Sequence, residues 1–272
     1  MNRFLICLLP AVAAFAEDPA VEIGPILEKI RKGSPSECVE ALGELTPGKE
    51  ERAAKPIAIR LVTEADAQVQ ATLREALAAY KGTVLVQALK TGFETKGVKD
   101  EYRTMILELL VAEKSETAVN LVGKIAFESE MKAMREAGQK ALAAYGDAAV
   151  KCAATYLHAG DQKIATAAVA TLQAIDTVEA GNALAGCMAV GSEKELIRIL
   201  KITSQTRDDA ITAMVAMGDE AVPGLLTGLD SLLYQKWSAY VLCKISGEFH
   251  TQKDKAGWLD WWKRHLAEKS GR

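Results

Sequence analysis

Chemistry in this chain would have to start from three histidines, His158, His250 and His265, and five cysteines, Cys7, Cys38, Cys152, Cys187 and Cys243. The histidines lie far apart, whereas paired metal ligands usually sit roughly two to five residues from each other. No C-x-x-C, H-E-x-x-H, G-x-S-x-G, P-loop or G-x-G-x-x-G stretch occurs, so the common metal, nucleophile and phosphate signatures are missing. His158 precedes Gly160 at the expected end of a helix, where a cation interacts well with free carbonyls. His250, in GEFHTQKDK, reads as a lone histidine of an exposed connection. Paired acids such as Glu50-Glu51 and Asp208-Asp209 stand at helix starts and serve the helix dipole there. No catalytic residue, cofactor or metal is expected, and the chain reads as a non-enzyme.

The elements that must position any site are helices. The composition is 49% hydrophobic but only 6% aromatic, with alanine prominent, which suits closely packed helices. The net charge of −3 argues against a general nucleic-acid partner, since phosphate binding needs a basic surface.

At the start, MNRFLICLLPAVAAFA pairs Arg3 with an apolar run and ends in Ala14-Phe15-Ala16. This is a signal-peptide pattern, with cleavage expected after Ala16. The run is too short to span a bilayer, which takes roughly 20 residues. The expected division is residues 1–16 as signal peptide, 17–247 as a helical array, and 248–272 as a connection and final helix. Export places the protein in the periplasm or outside the cell, with no membrane span after cleavage. It also permits disulfides. Buried free thiols remain the simpler reading of Cys38, Cys152, Cys187 and Cys243, with Cys152–Cys187 the first pair to test.

An internal repeat runs through the array. AAKPIAIRLV, TAVNLVGKIA, AAVKCAATYL and EAVPGLLTGL each open a helix pattern, and a second amphipathic stretch follows each. The markers Ile23, Ala53, Val84, Ala118, Ala149, Ala180 and Ala221 recur about every 31 residues, a period typical of stacked helix pairs. The longer third step contains TGFETKGVKDEY (91–102), expected as a loop, and the longest contains DDAITAMVAMG (208–218), expected as an extra helix. Two second helices share the ending ALAAY, followed by Gly82 or Gly146, each suited to a left-handed helix end. Ser34-Pro35-Ser36-Glu37 and Ser192-Glu193-Lys194-Glu195 read as capping boxes. Asp147 and Asp161 are expected to cap the helices that follow them. Helix pairs this small bury their apolar faces only by stacking. The fold expected is all-α: an α-solenoid of about seven helix pairs.

The stretch MGDEAVPGLLTGLDSLLYQKWSAYVLCKISG (217–247) resembles a HEAT repeat of the short bacterial type, also seen in PBS-lyase-like proteins. Ala221, Val222, Pro223 and Asp230 match that pattern. Lys236 stands where the family has arginine, Met134-Arg135 comes near its Val-Arg, and Gln70 and Ala165 occupy the place elsewhere. The resemblance implies a superhelix whose second helices line the binding side. Candidate contacts with a protein or peptide partner there are Arg74, Arg103, Arg135, Lys163, Arg198, Lys201 and Lys236, interspersed with Glu75, Glu108 and Glu195. Some relatives of this type are bilin lyases, so an enzyme or chromophore-handling protein is the alternative.

Three of the four tryptophans crowd into GWLDWWKRH (257–265), the fourth being Trp237. On a helix, Trp258, Trp261, Trp262, His265 and Leu266 share an arc of roughly 140°, opposite Asp260, Lys263 and Arg264. Left bare, these indoles would exceed the apolar patch a soluble monomer tolerates. HEAT-like proteins often end in a similar W-x-x-W-W helix, and a structural cap on the last repeat is expected of Trp258, Trp261 and Trp262. An aromatic surface for a glycan or partner helix is the other reading.

Overall fold

The computed structural model describes residues 22–46, 48–186 and 204–271, and all regular structure among them is helical. The signal segment, Cys187, the box at Ser192, and Glu195, Arg198 and Lys201 lie outside the described residues.

Helices come in consecutive pairs. They are α1 (Ile23–Lys32) with α2 (Pro35–Glu44), α3 (Glu51–Thr63) with α4 (Ala67–Ala78), α5 (Gly82–Phe93) with α6 (Asp100–Glu113), α7 (Glu116–Glu128) with α8 (Lys132–Ala143), and α9 (Asp147–Tyr156) with α10 (Gln162–Ile175). Then follow α11 (Val178–Ala185), α12 (Ser204–Met217), a 3-10 turn (Gly218–Ala221), α13 (Val222–Gly228), α14 (Gln235–Ser246) and α15 (Lys255–Ser270). The extra helix expected over 208–218 is α12. The loop expected over 91–102 shrinks to the few residues between Phe93 and Asp100.

Local chemistry sets the starts. Ser34 and Glu37 form the reciprocal capping box, the Glu37 carboxylate accepting from the Ser34 amide at 2.7 Å. Asp66, Ser115, Asp161, Thr177 and Asp254 each accept backbone amides at their helix N-termini. Asp147 does not cap. It is the first residue of α9, and Gly146 holds the cap position at φ 60°. Gly82 and Gly146 do adopt left-handed backbone, but each leads straight into the next helix. The repeated tyrosine of ALAAY also has a shared task. The Tyr80 hydroxyl donates to the Glu50 carbonyl at 3.1 Å, and that of Tyr145 to the Leu110 carbonyl at 2.6 Å.

Packing follows the repeat. The first helices touch in order, α1 on α3, α3 on α5, α5 on α7, α7 on α9, α9 on α11 and α11 on α13. Among the second helices, α2 touches α4, α6 touches α8, and α8 touches α10. Markers Ala53, Ala118, Ala149, Ala180 and Ala221 are wholly buried in these contacts. Small residues let the axes approach. A Cβ built on Gly138 of α8 would lie 2.8 Å from the Ala126 Cα of α7, so those two backbones nearly touch. One hydrophobic core runs from Ile26 to Trp261.

The final helix packs against α13. Lys255, in its first turn, pairs with Asp230 at 2.5 Å, while His265 and Lys269 near its end both bond Asp219. It therefore runs antiparallel to the 219–230 segment. Trp258 is wholly buried, Trp261 nearly so and Trp262 half-buried, and the Trp258 and Trp261 rings meet edge to face at 6.1 Å. Leu266 is exposed, so the buried arc is narrower than the helical projection implies. His265 borders that arc, stacked on Trp261 and Trp262.

Candidate functional site

The cationic residues expected to face a partner divide into two groups. Arg103 and Arg135 turn inward to their own pair. Arg103 donates to the Phe93 carbonyl at 3.3 Å and bonds Asp100, with its guanidinium over the Phe93 ring. Arg135 donates to the carbonyls of Ser129 (2.7 Å) and Glu130 (3.0 Å). Gln70 donates likewise to the Glu64 carbonyl at 2.6 Å. All three follow the first residue of their helix, Ala67, Asp100 or Lys132, by the same short step. Helical side chains lean toward the N-terminus, so a donor here reaches the carbonyls that the preceding helix leaves unpaired. These residues hold the hairpin turn.

Arg74, Lys163 and Lys236 remain on the surface. The Arg74 Nε lies 2.9 Å from the Met105 sulfur, linking α4 to α6. Lys163, with Arg135, Gln139 and Asp161, borders a pocket of about 430 Å³ at the edge of α7, α8 and α10. Lys236 sits over the Trp237 ring at 5.4 Å.

An apolar recess on the second-helix side lies between α6 and α8, about 540 Å³ in volume. Leu107, Val111, Ala137 and Ala141 supply apolar surface, and Glu108, Glu136 and Lys140 are charged groups at the same recess. On the first-helix side, Val86, Phe93, Leu121 and Ile125 line a second recess between α5 and α7, of about 420 Å³. Both recesses follow the seam between neighbouring pairs.

Titratable groups in unusual settings serve structure. Burial pushes the Cys38 and Cys152 thiols up, which disfavours the thiolate form. The Cys152 sulfur faces the Val119 carbonyl at 3.9 Å. Burial likewise raises the Tyr145 phenol. Glu64 is a buried carboxylate that sequence reading missed. Amides of Asp66 and Ala65 and the Arg60 guanidinium hold it below the usual range against the opposing effect of burial. Its only sequence signal is the four-residue step from Arg60. His250 is also not alone. Its ring bonds Glu248 and Asp254 at 3.1 Å each and meets the Trp258 ring edge-on at 4.8 Å. The Glu248 hydrogen bond, and then that of Asp254, raise its pKa.

Among the described residues no cluster of His, Cys, Asp and Glu is arranged to hold a metal ion, and no helix is long and apolar enough to cross a membrane. No protein-family model and no curated protein matches the chain. Its function therefore has to be argued from its own recesses and faces.

Proposed function

We propose that the chain is a non-enzymatic α-solenoid of HEAT-like pairs, exported after loss of residues 1–16, that holds a protein or peptide partner. The orderly contact of first helix with first helix supports the solenoid reading. The burial of Trp258 and Trp261 against the core, with α15 alongside α13, supports α15 as its cap. The observation that carries the binding reading is the apolar recess between α6 and α8. It has the concave, largely apolar character of a binding site with charged groups to fix orientation. Stacked pairs commonly offer such seams to an amphipathic segment.

Two exposed alanines, Ala133 and Ala144, line this recess. Arginine at either narrows it without entering the core. The test is capture of a partner from the exported fraction by wild type and by Ala133→Arg plus Ala144→Arg. One protein held by wild type and lost by the folded variant is the expected result. Identical capture by both removes the recess from the reading. Intact mass of the exported chain should correspond to a start at Glu17, and a retained leader refutes export by cleavage.

A further inference from the structure

A second face, on α14, differs in chemistry from the α6–α8 recess. Residues 231–247 contain no aspartate or glutamate, in a chain where acids outnumber lysine and arginine by 36 to 33. Lys236, Tyr240 and Lys244 follow one another at successive turns of α14, and all three are exposed. Among the described residues, neither lysine forms an ion pair with a carboxylate. Lys236 lies over Trp237, and Lys244 lies 5.6 Å from the Tyr240 ring centre. Arg207 of α12 approaches Trp237 from the neighbouring helix, at 4.8 Å, with Asp208 as its acid. Trp237 and Tyr240 meet edge to face at 5.9 Å. Beside this stripe, Leu232 is 84% exposed and Leu233 49%. The result is a basic, aromatic strip with an apolar end.

We infer that this face of α14 binds an acidic protein segment carrying aliphatic side chains, its carboxylates meeting Lys236, Lys244 and Arg207 and its apolar groups meeting Leu232, Leu233 and Tyr240. The inference rests on the protein-binding reading and gives it a partner chemistry and a place. Charge complementarity selects the occupant: the strip is cationic on a chain that is acidic overall, and aromatic rings beside cations are typical of protein interfaces. The two lysines stand about 12 Å apart along the helix axis, from the rise of an α-helix, a separation that carboxylates of one extended peptide can match. A bilayer fits less well. Anionic membranes are usually held by clusters of roughly four to eight basic residues, and this face presents three, Lys236, Lys244 and Arg207.

The probes are a fluorescein-labelled peptide of glutamates interleaved with leucines, the same peptide with glutamine for glutamate, and vesicles of phosphatidylserine and phosphatidylcholine. The full chain should bind the glutamate peptide and weaken as salt rises. Lys236→Glu with Lys244→Glu should reduce that affinity by about tenfold or more, with Tyr240→Ser also weaker and all variants keeping the wild-type circular dichroism. Equal binding of the glutamine peptide, no effect of the double reversal, or binding to vesicles in place of peptide would overturn the inference. Partner capture that depends on Ala133 and Ala144, alongside no glutamate-peptide binding, would sink this face and keep the wider reading. Failure of both would sink both.

Discussion

Arg60 and Glu64 lie one helical turn apart, and two of the three guanidinium nitrogens converge on a single carboxylate oxygen: Nε at 2.8 Å and Nη2 at 2.6 Å. The other oxygen accepts the amides of Ala65 and Asp66 at 2.8 and 3.0 Å. One buried side chain thus closes α3 and starts the turn into α4. The adjoining Glu64 carbonyl receives Gln70, and Tyr102 from the next pair approaches it at 3.4 Å.

Removing one member of a buried pair strands the other. Glu64→Ala should therefore destabilise the fold by about 3 kcal/mol or more, read by urea denaturation. Glu64→Gln keeps the amide contacts and should cost less. Equal losses for both would show that the carboxylate charge, and not the amide contacts, carries the effect.

Trp258 is wholly buried, yet its indole nitrogen has no hydrogen-bond partner among the described residues. Trp258→Ala should cost ~3–5 kcal/mol. Trp258→Phe should be much milder, because it removes an unsatisfied donor along with some volume. Trp262, only half-buried, should tolerate alanine better than Trp258 does. Truncation after Gly247 should lower the melting temperature, whereas an unchanged melt would separate α15 from the stability of the array.

Gly138 allows α7 and α8 to approach to backbone contact. Alanine there must push the helices apart although it favours helix formation, and overpacking of this kind costs ~1–3 kcal/mol. A Gly138→Ala protein as stable as wild type would mean that the pair can shift freely.

His250 gives the fold a pH dependence with a definite sign. Its folded pKa is raised, chiefly by Glu248, so the unfolded chain releases the proton first. The stabilisation is present below the ordinary histidine pKa, about 6.5, and fades as pH climbs through the folded value. Melting temperature should fall from about pH 6 to pH 8, and His250→Gln should flatten that slope. At the acid end, Glu248 and Asp254 act oppositely, since both are held below their ordinary values and lose their contribution as pH drops.

The repeat period and helix order were legible because small buried residues such as Ala53 and Ala118 recur at fixed steps. The roles of Arg103 and Arg135 were not. A projection that sorts residues by face takes no account of the lean of a long side chain along the axis, and that lean carries both guanidinia to the turn carbonyls. Glu64 and His250 escaped for another reason: each is defined by neighbours that only the folded turn assembles. Lys236 kept its place on the surface, but its seat over Trp237, and the meeting of Trp237 with Tyr240, emerged only from the folded ring contacts.

The antiparallel seat of α15 on α13 also limits how such a molecule could grow. Its outer side presents Asp260, Lys263 and Arg264, all exposed. If α15 is the cap proposed above, a helix pair stacked on that side would meet these charges where stacking needs an oily flank. On that reading extra units would be accommodated ahead of Gly218, while the exposed charged side of α15 leaves room for a soluble tag beyond it.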